Sequence, residues 1–252
     1  SGSVLFSQEL SGDFRLRYGG KSEIQRLVGK VTMGQGTANI KTIVGDLDVG
    51  SGATIVTEEL TGDFTIADDG EATVDKVTGN VTMGRGKATF KKIFGAVNVS
   101  DGASFKSEDV EGDLEIDGET SEITVDNVVG NLNLIKGSNK PGESPGTTTI
   151  NGDYTQGANA VLEIEIGGLN DGEYDQLVVI DGDMNLGGTL TITFIDGFTG
   201  ENAGSVPILT ISNGTVNGTF HTINLPSGLP DGVSWNTDDI YTTGKVRLQL
   251  AI

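Results

Sequence analysis

Leu60-Thr61-Gly62-Asp63-Phe64-Thr65-Ile66 alternates apolar and polar residues around a central glycine. A period of two places Leu60, Phe64 and Ile66 on one face of an extended chain. The phrase returns as Val77-Thr78-Gly79-Asn80-Val81-Thr82-Met83, and it occurs eight times across residues 10–134. Its glycines are Gly12, Gly29, Gly45, Gly62, Gly79, Gly95, Gly112 and Gly130, spaced 16 to 18 residues apart. The residues two before, two after and four after each glycine are all apolar, from Leu10, Phe14 and Leu16 to Val128, Leu132 and Leu134. One such coil cannot bury its own apolar face. Coils stacked about 4.8 Å apart pair their strands in parallel and close a continuous core. A meander of hairpins forming a sandwich or barrel would also give closely spaced turn signals. Like residues returning at like phase favour the solenoid, because stacking puts like on like.

A longer period encloses the first. Ser7-Gln8-Glu9-Leu10-Ser11-Gly12-Asp13-Phe14 returns as Thr57-Glu58-Glu59-Leu60-Thr61-Gly62-Asp63-Phe64, and again as Ser107-Glu108-Asp109-Val110-Glu111-Gly112-Asp113-Leu114. The shift of 50 residues is three coils, which reads as a duplicated block. Between phrases stand a glycine turn, a small residue (Ala38, Ala53, Ala72, Ala88, Ala103) and a second inward residue (Ile24, Ile40, Ile55, Val74, Phe90, Phe105). No segment carries a helical stripe, so no helix is expected.

The pattern breaks at Lys136-Gly137-Ser138-Asn139-Lys140-Pro141-Gly142-Glu143-Ser144-Pro145-Gly146, a polar run rich in glycine and proline that reads as a loop. The expected organisation is therefore regular solenoid coils over residues 1–136, a linker over 137–146, and an irregular β-helical and capping domain over 147–252. Strand alternation persists there in Val161–Ile166, Leu177–Ile180 and Thr189–Phe194, with a coil of about thirty residues from Gly152 to Gly182. An open terminal coil exposes an edge and the core, so the irregular Val206–Ile252 stretch, with Trp235, is expected to be a cap. The fold class is thus all-β, a parallel β-helix with ~17-residue coils followed by longer coils and a β cap.

Ile150-Asn151-Gly152-Asp153-Tyr154-Thr155-Gln156, followed by Leu162-Glu163-Ile164-Glu165-Ile166, resembles the β-helical passenger segments of bacterial surface and autotransporter-type proteins. So do Tyr174-Asp175-Gln176-Leu177-Val178-Val179, Gly187-Gly188-Thr189-Leu190, Gly218-Thr219-Phe220 and Leu229-Pro230-Asp231-Gly232-Val233-Ser234-Trp235. The resemblance covers about residues 147–252 and implies the fold and an extracellular, cell-surface setting. No outer-membrane barrel follows Ile252, so it does not extend to autotransport. Polymerising solenoids of the bactofilin type are a more distant likeness.

Composition narrows the chemistry. A net charge of −20 argues against nucleic acid and anionic membranes, which need concentrated Lys and Arg. With no cysteine and one histidine, disulfides and multi-His or thiolate metal sites have no ligands. No apolar run is long enough to span a membrane. Ser1-Gly2-Ser3 lacks the character of a signal peptide and reads as a processed end or an internal cut, so a fragment of a longer protein is expected. Val4-Leu5-Phe6 is apolar at the start, and an uncapped first coil there implies a preceding coil or head-to-tail assembly.

His221 would have to serve any Ser-His-Asp triad, but a lone strand histidine is more simply a surface or packed residue. Asp171, Glu173, Asp175, Asp181 and Asp183 form the densest acidic group, with Tyr174 the one aromatic nearby. They are the acids a glycan-cleaving β-helix would use, and equally ordinary turn acids. Gly-Asp pairs at 12–13, 45–46, 62–63, 112–113, 152–153 and 182–183 could offer oxygens to Ca²⁺, or simply mark turns. The outward pairs before each glycine, such as Glu58-Glu59, Asp75-Lys76, Lys91-Lys92 and Glu108-Asp109, alternate in sign in a way that would select register. Thr32, Thr82 and Thr189-x-Thr191-x-Thr193 make too sparse an array for ice. The expected function is an extracellular structural, adhesive or self-assembling module. No catalytic, cofactor or metal residues are assigned, and its partners would be like modules stacked end to end or surface glycans and proteins. The alternative is a polysaccharide-acting enzyme using Asp171, Asp175, Asp181 and Asp183.

Overall fold

In the computed structural model, residues 4–17 and 19–250 are described. The chain divides into two compact units, Ser1–Ile123 and Thr124–Ile252. Strands in the first unit pair in parallel with the strands one coil away, which distinguishes the solenoid from a hairpin meander. Each coil holds one long strand, such as Gly70–Thr78, and one short strand, such as Val81–Met83. In the long strand Gly70, Ala72, Val74 and Val77 point inward. Asp75 and Lys76 both face outward, so alternation slips by one and the strand bends there. The short strand then buries Val81 and Met83.

The repeating glycines form the tightest corner. Gly62, Gly79 and Gly95 have φ of +145°, +150° and +153°. A Cβ on Gly95 would lie 2.2 Å from the Gly79 carbonyl oxygen, and one on Gly79 2.2 Å from that of Gly62. Only glycine satisfies both the left-handed backbone and this approach. The corner N–H groups are satisfied by the next coil: Gly62 N–H donates to the Thr78 carbonyl at 3.0 Å and Phe64 N–H to the Asn80 carbonyl at 2.8 Å.

Register defines three inward columns in the long strands. The first holds Gly20, Gly36, Ala53, Gly70, Gly86 and Ala103; the second Leu5, Ser22, Ala38, Ile55, Ala72, Ala88 and Phe105; the third Ser7, Ile24, Ile40, Thr57, Val74, Phe90 and Ser107. The expected columns are corrected here. Ile55 and Phe105 stack with alanines rather than with Ile40 and Phe90, and Ala53 and Ala103 stack with glycines. In the coils of Leu5, Ile55 and Phe105 the large residue sits one inward place earlier. In the second column each large side chain thereby meets a small residue, while the third column stacks Ile24 on Ile40 and Val74 on Phe90; together they fill the stacked core to interior density. Thr57 and Ser107, at the exchanged place, donate their hydroxyls to the carbonyls of Glu59 and Asp109, at 3.4 and 3.1 Å. Phe90 lies 5.4 Å from the Phe64 ring and 5.6 Å from Phe105, each pair worth ~0.5–1.5 kcal/mol beyond burial.

The second unit continues parallel pairing with longer coils. Thr148, Leu177 and Leu209 stack, as do Ile150, Val179 and Ile211, and Tyr154, Met184 and Val216. The polar run expected as a linker is strand through Pro141: Leu132–Pro141 pairs with Tyr154–Ile166 across a register shift after Leu134. Gly137, Ser138 and Asn139 are small enough to pass through that irregularity and are buried. Proline, which cannot donate to a ladder, ends the strand. The turn proper is Gly142–Gly146. The cap stretch contains an antiparallel sheet of Gly204–Pro207, Lys245–Leu250 and Val233–Asn236. One helical turn, Ile240–Thr243, departs from the helix-free expectation; it buries Ile240 and ends on Gly244 in the left-handed conformation.

Gly95→Ala is expected to lower unfolding stability by about 2–4 kcal/mol, from backbone strain plus steric overlap. Gly52→Ala, whose Cβ meets only a flexible Gln35 carbon at 3.8 Å, should cost about 1 kcal/mol through its φ of +67° alone. Equal urea midpoints for the two variants would remove the close-approach explanation.

Candidate functional site

The Gly-Asp pairs belong to an inter-coil ladder. Asp13 Oδ1 accepts the Lys30 N–H at 3.2 Å, Asp46 that of Asp63 at 3.1 Å, and Asp63 that of Asn80 at 2.9 Å. Asn80 continues it to Ala96 at 3.1 Å. In the second unit Asn131 accepts from Asp153, Asp153 from Asp183, and Asp183 from both the N–H and hydroxyl of Thr215. Each side-chain oxygen thus takes up the N–H that follows the next corner glycine. An amide oxygen does this as well as a carboxylate, so Asn80 and Asn131 take the same place as the aspartates, while Lys30 and Ala96 carry no oxygen there. Among the described residues no cluster of three or more His, Cys, Asp or Glu side chains is placed to hold a metal ion.

The acidic group around Asp175 separates into two ends of one strand. Asp171, Glu173 and Asp175 precede Gln176–Ile180, and Asp181 and Asp183 follow it. At about 3.3 Å per residue, Asp175 and Asp181 lie about 20 Å apart along the chain. Paired glycosidase acids stand about 5–10 Å apart. Asp171 accepts the Tyr174 hydroxyl at 2.8 Å. Burial first, then this bond, pushes the Tyr174 pKa up to about 12. Glu173 accepts the backbone and side-chain N–H groups of Asn170, both at 3.0 Å, which hold its carboxyl below the usual range. Asp181 accepts Asn213 Nδ2 at 2.8 Å. Asp183 is held low by its bonds from Thr215.

Asp175 has a different environment. It is 1 % exposed, its Oδ1 accepting the Gly146 N–H at 2.7 Å and its Oδ2 the Glu165 N–H at 2.8 Å. Burial pushes its pKa up to about 6, opposed by the two N–H bonds and reinforced by the neighbouring Glu165 charge. The Ser144 hydroxyl donates to Glu165. Two carboxylates therefore clasp the turn Gly142–Gly146 to the coil below. Ser144, Gly146 and Glu165 carry no motif in the sequence; only the register brings them to Asp175. Buried Gln156 has a similar bracing role, accepting the Tyr154 hydroxyl at 2.9 Å and donating to the Thr189 carbonyl at 2.9 Å. His221 is exposed, with its backbone N–H on the Gly188 carbonyl and no hydrogen bond to its ring among the described residues. A cavity of about 230 Å³ lies between the helical turn Ile240–Thr243 and the residues Leu209–Ile211, floored by Met184 and Val216.

Outward charges in the first unit pair from coil to coil. Glu9 meets Arg26 at 2.7 Å, Lys41 meets Glu58 at 3.4 Å, and Asp75 meets Lys91 at 2.8 Å. Register sets Lys92 opposite Lys76 on one side and Asp109 on the other. Lys76 turns to Glu59 at 3.9 Å and Lys92 to Glu111 at 2.6 Å, and both ammonium groups lie over the Phe94 ring, at 5.8 and 4.8 Å. Exposed pairs of this kind contribute ~0–1 kcal/mol each, so they bias register more than they hold the fold.

The open face of the first described coil is the most chemically distinct surface. Leu5 is 39 % exposed, while its repeat mates Ile55 and Phe105 are 0 % and 1 % exposed. Val4 and Phe6, on the outward side of the same strand, are 54 % and 69 % exposed. The strand Val4–Ser11 pairs with Gly20–Val28 alone among the described strands.

Two substitutions test the ladder and the clasp. Asp63→Ala should cost about 1 kcal/mol, one backbone acceptor, while Asp63→Asn should be near neutral. Loss of stability in Asp63→Asn that added calcium restores in the parent alone would instead make Asp63 a metal ligand. For Asp175, a folded pKa above the unfolded value means the proton is bound more tightly in the fold. Its contribution is therefore full at low pH and lost as pH rises through about 6. Between about pH 4 and 6 the parent should lose stability relative to Asp175→Asn; a difference constant across that window would contradict the assignment.

No model of a known protein family matches the chain and no curated protein matches it significantly, so what it shares with other proteins stands at the parallel β-solenoid architecture.

Proposed function

We propose that the chain is a structural solenoid module that associates with like modules through the faces of its coils, in an extracellular or cell-surface setting. The observation that carries this reading is the coil boundary itself, where parallel backbone ladders and inward side chains join each coil of the first unit to the next. An edge strand with unpaired N–H and C=O groups and an apolar flank is a template for another strand. The inter-coil ladders described above are the recognition chemistry such an encounter would reuse. The resemblance of residues 147–252 to surface passenger segments supports the setting. The glycan-cleaving alternative has its acids engaged elsewhere: Asp171 with Tyr174, Asp175 with two backbone N–H groups, Asp181 with Asn213 and Asp183 with Thr215.

With a net charge of −20, chains repel one another at low salt. Sedimentation equilibrium should therefore show a mass above 26.2 kDa that grows with protein concentration and with ionic strength. Leu5→Lys, which places a charge on the open face, should abolish the growth. A monomer mass under all these conditions overturns the assembly reading.

A further inference from the structure

Two inward columns of the second unit run into the cap. Tyr154, Met184 and Val216 stack, as do Ile150, Val179 and Ile211, and among the described residues no strand is laid on Val216 or Ile211. Met184 is buried, while Val216 and Ile211 are half-buried. The helical turn Ile240–Thr243 crosses there instead. A helical turn sets its side chains around an axis rather than in a flat row, so it does not fill the coil as a strand would. What remains is the cavity of about 230 Å³, walled by Met184, Leu209, Ile211, Val216, Ile240 and Tyr241. Among the described residues no Asp, Glu, Lys, Arg or His lines it. The Tyr241 wall is held in place, its hydroxyl accepting the Phe220 N–H at 3.2 Å and its ring lying 6.1 Å from that of Phe220.

The backbone of the strand Leu209–Ser212 supplies a second, independent observation. Leu177 N–H donates to the Ile208 carbonyl and Asp181 N–H to the Ser212 carbonyl, both at 2.9 Å. Ile208, Thr210 and Ser212 therefore turn their main chain toward the strand Gln176–Ile180, and Leu209 and Ile211 turn theirs the other way. On that side the Gly244 carbonyl takes the Leu209 N–H at 3.0 Å. The N–H and C=O of Ile211 have no strand beyond them and no partner among the described residues. Because Ile211 lines the cavity, a free donor and a free acceptor stand at an otherwise apolar wall. Main-chain groups in such a place call for a partner.

We propose that this cavity binds a small uncharged ring compound carrying an N–H or O–H donor, with the ring packed among Met184, Leu209, Val216 and Ile240 and the donor on the Ile211 carbonyl. Size, polarity and geometry each narrow the ligand. An apolar cavity of about 150 Å³ suffices for benzene, so the larger volume here suits one ring or two fused rings. With no counter-charge on its walls, the cavity rejects a carboxylate or an ammonium group, whose desolvation nothing would offset. The Met184 thioether is a favourable neighbour for an aromatic edge. A mostly apolar wall with one placed hydrogen-bonding pair is the usual composition of a small-molecule site. The site needs no second chain, so it holds or falls independently of the assembly reading.

The probe is indole, compared with indene, which has the same two fused rings and no N–H, and with benzoate, which is charged. In amide NMR spectra of the full chain, indole should shift the signals of Ile211 and of residues 240–244. The shifts should saturate with a Kd of about 0.1–1 mM, the scale for a fragment of this size. Indene should bind about fivefold or more weakly, having no donor for the Ile211 carbonyl. Benzoate should leave these signals unmoved up to about 10 mM. Val216→Phe, which sets a ring in the cavity, should weaken indole about tenfold or more. If that variant does not fold, the three probes on the parent chain decide. Equal affinity for indole and indene, binding of benzoate at these residues, or indole affinity unchanged in Val216→Phe overturns the proposal. So does the absence of saturable shifts at Ile211 and residues 240–244.

Discussion

At each corner of the coil, the carbonyl oxygen of one glycine occupies the space where the next glycine's Cβ would be. Backbones pack against backbones there with no side chain between them, and the rest of the architecture follows. The approach fixes the corner of every coil over the corner before it. It delivers the residue after the glycine to the same place in each coil, so that Asp13, Asp46, Asp63 and Asn80 can each reach the following N–H. A slip of one residue would turn the inward set outward and break both ladders at once. The corner therefore acts as a register stop for an otherwise repetitive stack.

With the corners fixed, the core is free to vary in volume provided that neighbours compensate. Every coil in the first unit carries one small and one large residue in its second and third columns, and the coils of Ile55 and Phe105 reverse the order. Reversal creates polar inward places at Thr57 and Ser107. Their hydroxyls find carbonyls at the bend of the same strand, so burial does not leave them unpaired. Among the described residues the exceptions are Ser22, buried with no partner for its hydroxyl, and Asn139 of the second unit, buried with no partner for its amide.

Much of this was legible in the sequence, for a physical reason. The glycine pitch and flanking apolar triplets are demands of steric approach and of strand alternation, both local in the chain. The columns are equally present in the sequence, but only with the corner glycine as origin. Counting back seven residues from each corner glycine from Gly12 to Gly112 gives Leu5, Ser22, Ala38, Ile55, Ala72, Ala88 and Phe105, and counting back five gives the third column. Aligning large with large instead hides a two-residue slide, because alternation looks the same after it. The strand through Gly137–Pro141 was hidden by composition, since Gly, Ser, Asn and Pro are turn residues wherever a partner strand does not hold them. The roles of the acids were hidden more deeply. The ladder carboxylates take their donors from the next coil, 17 to 32 residues away, and Asp175 takes one from Gly146, 29 away, so only the stack identifies them; Asp171 and Glu173 find theirs within three residues.

The surface follows a different rule from the core. Along the bend, charges alternate where they can and find lateral partners where they cannot, as Lys76 and Lys92 do over Phe94. Pairs this exposed are weak singly, yet a shifted stack would set several like charges together, so their sum discriminates against error. The excess of acid over base is carried outside these pairs, and at −20 it opposes any close approach of two chains. Coil-on-coil contact is made despite that charge because backbone, inward side chains and paired outward charges meet together, as they do at coil boundaries within the first unit.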